Sequence, residues 1–179
     1  MSKSSAGLLL YRTSGGSPRG LELLIVHPGG PLWAKKDEGA WSIPKGELEP
    51  GDSPAACAGR EFTEELGAPP PGEPWTDLGE IVQRGGKRVH AWAVRGDLEV
   101  SQIHSNTFDM EWPPRSGRIR RFPEIDTAAW VAVEDARNKL LPAQVAFVDR
   151  LLESLSGKRP ATGHDEVVST DDDGSPPRR

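Results

Sequence analysis

The chain predicts an α/β fold, a mixed β-sheet held in an α/β/α sandwich. Three observations carry the prediction. Short apolar runs of strand length stand both before and after a helical segment at residues 53–67. That segment has a start and a stop signal of its own. Two further helical patterns close the chain, at residues 134–140 and 142–155. Helices spread in this way along a strand-bearing chain must cover both faces of one sheet, which is the sandwich.

Residues 6–12 and 21–27 read as strands separated by a Gly/Ser/Pro turn region. A loop over residues 28–39 carries Trp33, Lys35 and Lys36, and residues 41–44 form a short strand leading into Lys45 and Gly46. In the next helix Ser53 is a good N-cap and Pro54 fits the first helical position. Gly67 supplies the left-handed residue that ends it. Ala55, Ala58, Phe62 and Leu66 recur at helical spacing and form the stripe that docks it on a core. Residues 78–83 and 87–94 flank Gly85-Gly86, a hairpin signal. Residues 96–123 are long, polar and proline-containing, so they are expected to be a functional or mobile loop. Residues 130–133 read as another strand. In the last helix Val145, Val148, Leu152 and Leu155 share a face. From residue 156 to 179 Gly, Pro, Ser, Thr and charge dominate, so a disordered polar tail is expected after a domain at residues 1–155.

Composition excludes several classes. At 179 residues one domain is the natural count. Cys57 is the only cysteine, so there is no internal disulfide and no paired-thiolate metal site; it reads as a small space-filling thiol. No apolar run approaches the ~18 residues of a membrane span, and residues 8–10 are too short for a signal-peptide core. A soluble cytoplasmic protein is expected. The formal charge of −5 argues against a binder of polymeric nucleic acid. A small phosphorylated ligand, held through cations and local Lys and Arg residues, is compatible, as is a homodimer. His27, His90 and His104 show no metal spacing and are assigned no role.

The chemistry is concentrated on the capped helix. Glu61, Glu64 and Glu65 lie within one turn, across an arc of roughly 100°. Like charges at that spacing repel, so the cluster must raise a pKa or take up a cation. Oxygen-only ligands suit a hard divalent ion, Mg2+ or Mn2+, better than zinc.

Residues 46–67, GELEPGDSPAACAGREFTEELG, resemble the Nudix box, G-x5-E-x7-R-E-U-x-E-E-x-G-U with U a bulky apolar residue. Gly46, Arg60, Glu61, Phe62, Glu64, Glu65 and Gly67 match in register; Asp52 stands at the first Glu and Ala68 at the final bulky position. The resemblance implies the same sandwich fold and hydrolysis of a pyrophosphate linkage in nucleoside diphosphate derivatives. It implies that Glu61, Glu64, Glu65 and the Gly46 carbonyl hold the metal, and that Arg60 orients a carboxylate. Either Glu61 or a glutamate outside the box then serves as general base. Lys45, Arg84 and Arg118 are the expected phosphate contacts, with Lys87, Arg120 and Arg121 nearby in sequence. Trp33 and Trp112 are candidates to stack on a base. Residues 6–155 are similar to a bacterial Nudix group labelled nucleoside triphosphate pyrophosphohydrolases, GAWSIPKGE and SNTFDMEWPPRSGR included. A nucleoside triphosphate is therefore the expected substrate. The PKG before the box is also similar to dinucleoside polyphosphate hydrolases, although Tyr11 is the only tyrosine and stands far from their usual position. A nucleotide-sensing domain without catalysis is the remaining alternative.

Overall fold

The computed structural model describes residues 4–14 and 20–157. The strands are β1 Ser4–Thr13, β2 Leu21–Pro28, β3 Lys45–Glu47, β4 Thr76–Val82, β5 Arg88–Arg95, β6 Thr107–Glu111, β7 Ile119–Pro123 and β8 Ile125–Ala132. The helices are α1 Pro54–Leu66, α2 Val133–Lys139 and α3 Val145–Leu155. The main sheet runs β4-β5-β1-β2-β8, with β3 paired to β1 off this path. It is mixed because β1 and β5 are parallel while the other pairs are antiparallel.

Alternation along β1 sends its side chains to two different cores. Leu8 and Leu10 join Leu24, Val26, Ala58, Phe62 and Leu66 under α1. Leu9 joins Ile25, Val89, Phe147, Val148 and Leu151 under α2 and α3. The expected α/β/α sandwich is therefore the observed one. Its detail on α1 differs slightly: Cys57, Ala58, Phe62 and Leu66 are the buried residues, while Ala55 is half-buried.

Along most of their length β1 and β2 are separated by other chain. They pair only at Tyr11–Thr13 with Leu21–Leu23, and the segment leading to β3 fills the gap. Leu8 N–H donates to the Pro44 carbonyl at 3.0 Å, and Val26 N–H donates to the Ser42 carbonyl at 2.8 Å. The expected strand at 41–44 is thus displaced: Trp41 and Ser42 make isolated bridges, and the strand proper is Lys45–Glu47. Pro44 has no N–H to give a ladder, so regular pairing resumes only after it.

Three further expectations are corrected. The segment 96–123 is largely ordered into a 3-10 turn at Val100–Gln102 and a β6-β7 hairpin that forms its own two-stranded sheet. The strand expected at 130–133 starts five residues earlier, at Ile125, and Val133 already belongs to α2. The last helix opens with a 3-10 turn at Pro142–Gln144 and buries Phe147, Val148 and Leu151, leaving Leu155 49% exposed. The expected polar tail falls, from residue 158 on, outside the described residues. No described helix is long and apolar enough to cross a membrane.

Candidate active site

Helix α1 is fixed at both ends by local chemistry. The Ser53 hydroxyl accepts from Ala56 N–H at 3.3 Å, and Gly67, at φ 73°, donates its N–H to the Thr63 carbonyl at 2.8 Å. A Cβ at Gly67 would stand 2.9 Å from the His104 carbonyl oxygen, so glycine serves packing as well as conformation there. Burial of Phe62 and Leu66 contributes roughly 1.5–3 kcal/mol each, and it sets the rotation of the acidic side relative to β3.

That rotation lays Glu61 directly on Gly46. A Cβ on Gly46 would lie 1.8 Å from Glu61 Oε2 and 2.3 Å from Oε1, so a side chain there would displace this carboxylate. One residue earlier, Lys45 N–H donates to Glu65 Oε2 at 3.1 Å. Strand β3 thereby presents a backbone donor and a bare Cα to two acids of one helix. Cys57 lies fully buried beneath, its Sγ 3.7 Å from the Gly46 carbonyl and 3.6 Å from that of Glu47. Burial pushes this thiol up, which suits a filler and not a nucleophile.

Arg60 straps the outer side of the cluster. Its Nη1 donates to Glu61 Oε1 at 2.7 Å and reaches Glu64 Oε2 at 3.5 Å. Its Nη2 donates to Asp52 Oδ2 at 3.1 Å and to the Glu47 carbonyl at 3.3 Å. Asp52, although a methylene shorter than glutamate, reaches this strap while also accepting from Glu49 N–H at 3.1 Å. The Glu49 N–H and then Arg60 hold the Asp52 carboxyl below the usual range.

The inner acids shift the other way. Burial pushes Glu65 up to about 8, with Glu61 and Glu124 adding to the rise and Lys45 opposing it. Burial, assisted by the charges of Glu64 and Glu124, raises Glu61 against the pull of Arg60. Burial and then Lys87 lower the Lys45 ammonium, against the attraction of Glu65, Glu61 and Glu47. Lys45 is thus a counter-charge within the cluster.

The donor set suits a hard divalent cation. It offers carboxylate oxygens crowded until two acids resist ionisation, with the Gly46 carbonyl on the adjoining strand. As the side chains stand, no three His, Cys, Asp or Glu groups among the described residues converge closely enough to hold a metal ion. One nitrogen of Arg60 engages both Glu61 and Glu64 in this arrangement.

The structure adds one acid that the sequence did not single out. Glu124, between β7 and β8, acts by charge on both Glu61 and Glu65. Its backbone is held on two sides: Gly29 N–H donates to its carbonyl, and its own N–H donates to the Asn106 carbonyl, each at 2.8 Å. Asn106 N–H in turn donates to the Glu64 carbonyl at 3.2 Å, tying the root of the β6-β7 hairpin to α1.

The expected basic contacts divide. Arg60 and Lys45 stand in the cluster. Arg84 lines a different cavity of about 500 Å3, beside Gln83, Leu141 and Pro142. Arg118 is exposed next to the β6-β7 turn, its carbonyl accepting from Trp112 N–H at 2.8 Å. Trp33 lines a cavity that Glu124 also borders. His27, given no role from sequence, is buried; its Nδ1 lies 2.9 Å from Asp126 Oδ1 and its Nε2 2.7 Å from the Lys36 carbonyl, pinning the loop that carries Trp33.

Comparison with known proteins agrees with this architecture. The model of the NUDIX domain family matches residues 1–153. A Caenorhabditis elegans Ap4A hydrolase in a binary complex superposes with a TM-score of 0.59 at 22% identity, covering 86% of this chain and 98% of that one. The NUDIX domain of Shewanella oneidensis NrtR, complexed with ADP ribose, gives 0.58 at 13% identity over 87% and 89% of the two chains. The MutT protein of Methanosarcina mazei Go1 gives 0.54 at 20% identity over 88% and 96%. Among curated proteins, a Myxococcus xanthus octanoyltransferase is 33% identical over 102 residues, 57% of this chain; the chain spans only 25% of that relative's length. The chain belongs to the NUDIX domain family.

Proposed function

We propose that the chain hydrolyses nucleoside triphosphates at a phosphoanhydride linkage, with Mg2+ or Mn2+, in the cytoplasm. The observation that carries this reading is the seating of Glu61 on the bare Cα of Gly46 with Glu65 bound to the next backbone N–H. Glu61, Glu64, Glu65 and the Gly46 carbonyl would hold the cation, which when bound neutralises charge on the phosphate oxygens.

The chain's own residues divide the remaining work. Lys45, already drawn into the cluster, meets a phosphate oxygen as substrate enters. Arg84 and Arg118, on two outer turns, serve only as peripheral contacts. Arg60 keeps Glu61, Glu64 and Asp52 in register and does not touch substrate. Glu124 is the general base: it borders the cluster without being tied into the Arg60 strap, whereas Glu61 is committed to Arg60 at 2.7 Å. Its carboxylate takes the proton of the attacking water as the P–O bond forms and the bridging P–O bond breaks.

The test is a substrate panel in Mg2+ and Mn2+: nucleoside triphosphates, Ap4A, ADP-ribose and nucleotide sugars, in oxygen-18 water, with products identified by mass. The expected products are nucleoside monophosphate and pyrophosphate, one of them labelled. Turnover of Ap4A well above the triphosphates moves the substrate assignment, and no turnover of any member overturns the reading.

A further inference from the structure

Beside the acid cluster lies a slot of about 280 Å3, between the loop after β2 and the β6-β7 hairpin. Its walls are Pro31, Leu32 and Trp33 on one side and Phe108 and Met110 on the other, with Glu124 at one end. Two glycines let the walls approach. A Cβ on Gly29 would stand 2.0 Å from the Pro123 carbonyl oxygen, and one on Gly30 would stand 3.0 Å from Phe108 Cζ. Phe108 is held from behind by its cross-strand partner Phe122, with ring centroids 6.1 Å apart. Met110 pairs with Arg120, so that cation lies on the slot face of the hairpin at its outer end.

Part of the polar backbone around the slot is already engaged. Gly29 N–H is donated to Glu124, the Gly30 carbonyl accepts from Trp33 N–H at 3.3 Å, and the Trp33 carbonyl accepts from Lys36 N–H at 2.8 Å. Apart from Glu124, the side chains lining the slot offer a ligand aromatic and apolar surface. Leu32 is 55% exposed, an apolar residue left facing the opening. The volume suits one ring system, below the range of roughly 300–1,000 Å3 that takes a drug-sized ligand.

We propose that this slot receives the heteroaromatic ring of the nucleotide substrate by stacking and apolar contact, and accepts all four common bases nearly alike. The proposal rests on the reading that the acid cluster holds the phosphoanhydride. Glu124 joins the two sites, so a nucleotide whose phosphates lie at Glu61 and Glu65 extends its base along the walls from Glu124 outward. Every base has a face to stack, whereas discrimination needs polar side-chain partners, of which this lining offers little beyond Glu124.

The experiment is calorimetric binding of AMP, GMP, CMP and UMP against ribose 5-phosphate, to the full chain and to two variants. Leu32→Glu puts a charge into the slot at an exposed position and leaves the fold undisturbed; Phe108→Ala removes one wall. The four nucleotides are expected to bind within about fivefold of one another, with ribose 5-phosphate at least about tenfold weaker; either variant removes that advantage. Equal binding of ribose 5-phosphate overturns the proposal, as does a preference of about a hundredfold for one base. Unchanged affinities in a Leu32→Glu chain of parental melting temperature, or no binding at all, overturn it as well. Failure of the hydrolysis reading shows separately, as no triphosphate turnover by a parent that still binds the four nucleotides.

Discussion

Helices α1 and α3 are of similar length, 13 and 11 residues, and each buries an apolar side on opposite faces of the same sheet. They differ in what the other side does. On α3, Arg150 Nη1 donates to the Leu78 and Glu80 carbonyls at 2.7 and 3.1 Å, so charge is used to fasten the helix to β4. On α1 the charges are turned on one another, and burial pushes two acids toward the neutral form. The α1 helix has a side-chain N-cap and a glycine C-cap, while α3 has no side-chain cap. The difference teaches where the fold tolerates electrostatic tension: on the helix whose ends are locked, beside the strand that brings Gly46.

Substitutions on the two helices should therefore fail in opposite ways. Glu65→Gln should reduce turnover roughly a hundredfold to a thousandfold with melting temperature unchanged or raised, measured by steady-state kinetics and calorimetry. Phe147→Ala, on the α3 side, should cost about 3–5 kcal/mol and leave the turnover of the remaining folded protein near parental, measured by denaturant unfolding and by activity at low temperature. Arg60→Lys keeps the charge but loses the fork that spans Asp52, Glu61 and Glu64; a fall of about tenfold in turnover is expected, with little change in unfolding.

A pH series sharpens the comparison. Glu65 is raised from an ordinary 4.5 to about 8, so across that window the folded chain holds a proton that the unfolded chain has released. Metal-free stability should then fall as pH rises from 4.5 to 8, and added Mn2+ should raise the melting temperature more at the upper end. Glu61, also raised by burial, adds to this slope and Lys45, pulled down, opposes it, so the assignment to Glu65 requires that Glu65→Gln clearly reduce it. The smallest effect is expected for Ser53→Ala, a loss of about 1 kcal/mol from the α1 cap, read from chemical denaturation.

The parts legible in the sequence are those set by neighbours along the chain. Ser53, Pro54 and Gly67 announce the helix, and Glu61, Glu64 and Glu65 declare their common side through spacing alone. Cys57 as buried filler also follows from its place among alanines. What escaped depends on contacts between distant segments. Glu124 carries no local signal; it meets the cluster because Gly29 and Asn106 clamp its backbone from two sides. The β6-β7 hairpin does have alternating Phe108, Met110, Arg120 and Phe122, yet the prolines and charges around its turn hide that period in a single pass. The strand expected at 41–44 shifted because Pro44 cannot donate, a consequence visible once β1 and β2 are known to part.

Manganese titration by calorimetry of the parent, Glu61→Gln and Glu65→Gln, at a pH above 8, tests the central claim most directly. The account predicts saturable uptake by the parent and at least tenfold weaker uptake by both variants, in line with the roughly 10–100-fold usual for disturbed metal sites. No uptake by the parent, or equal affinity in all three, would contradict it.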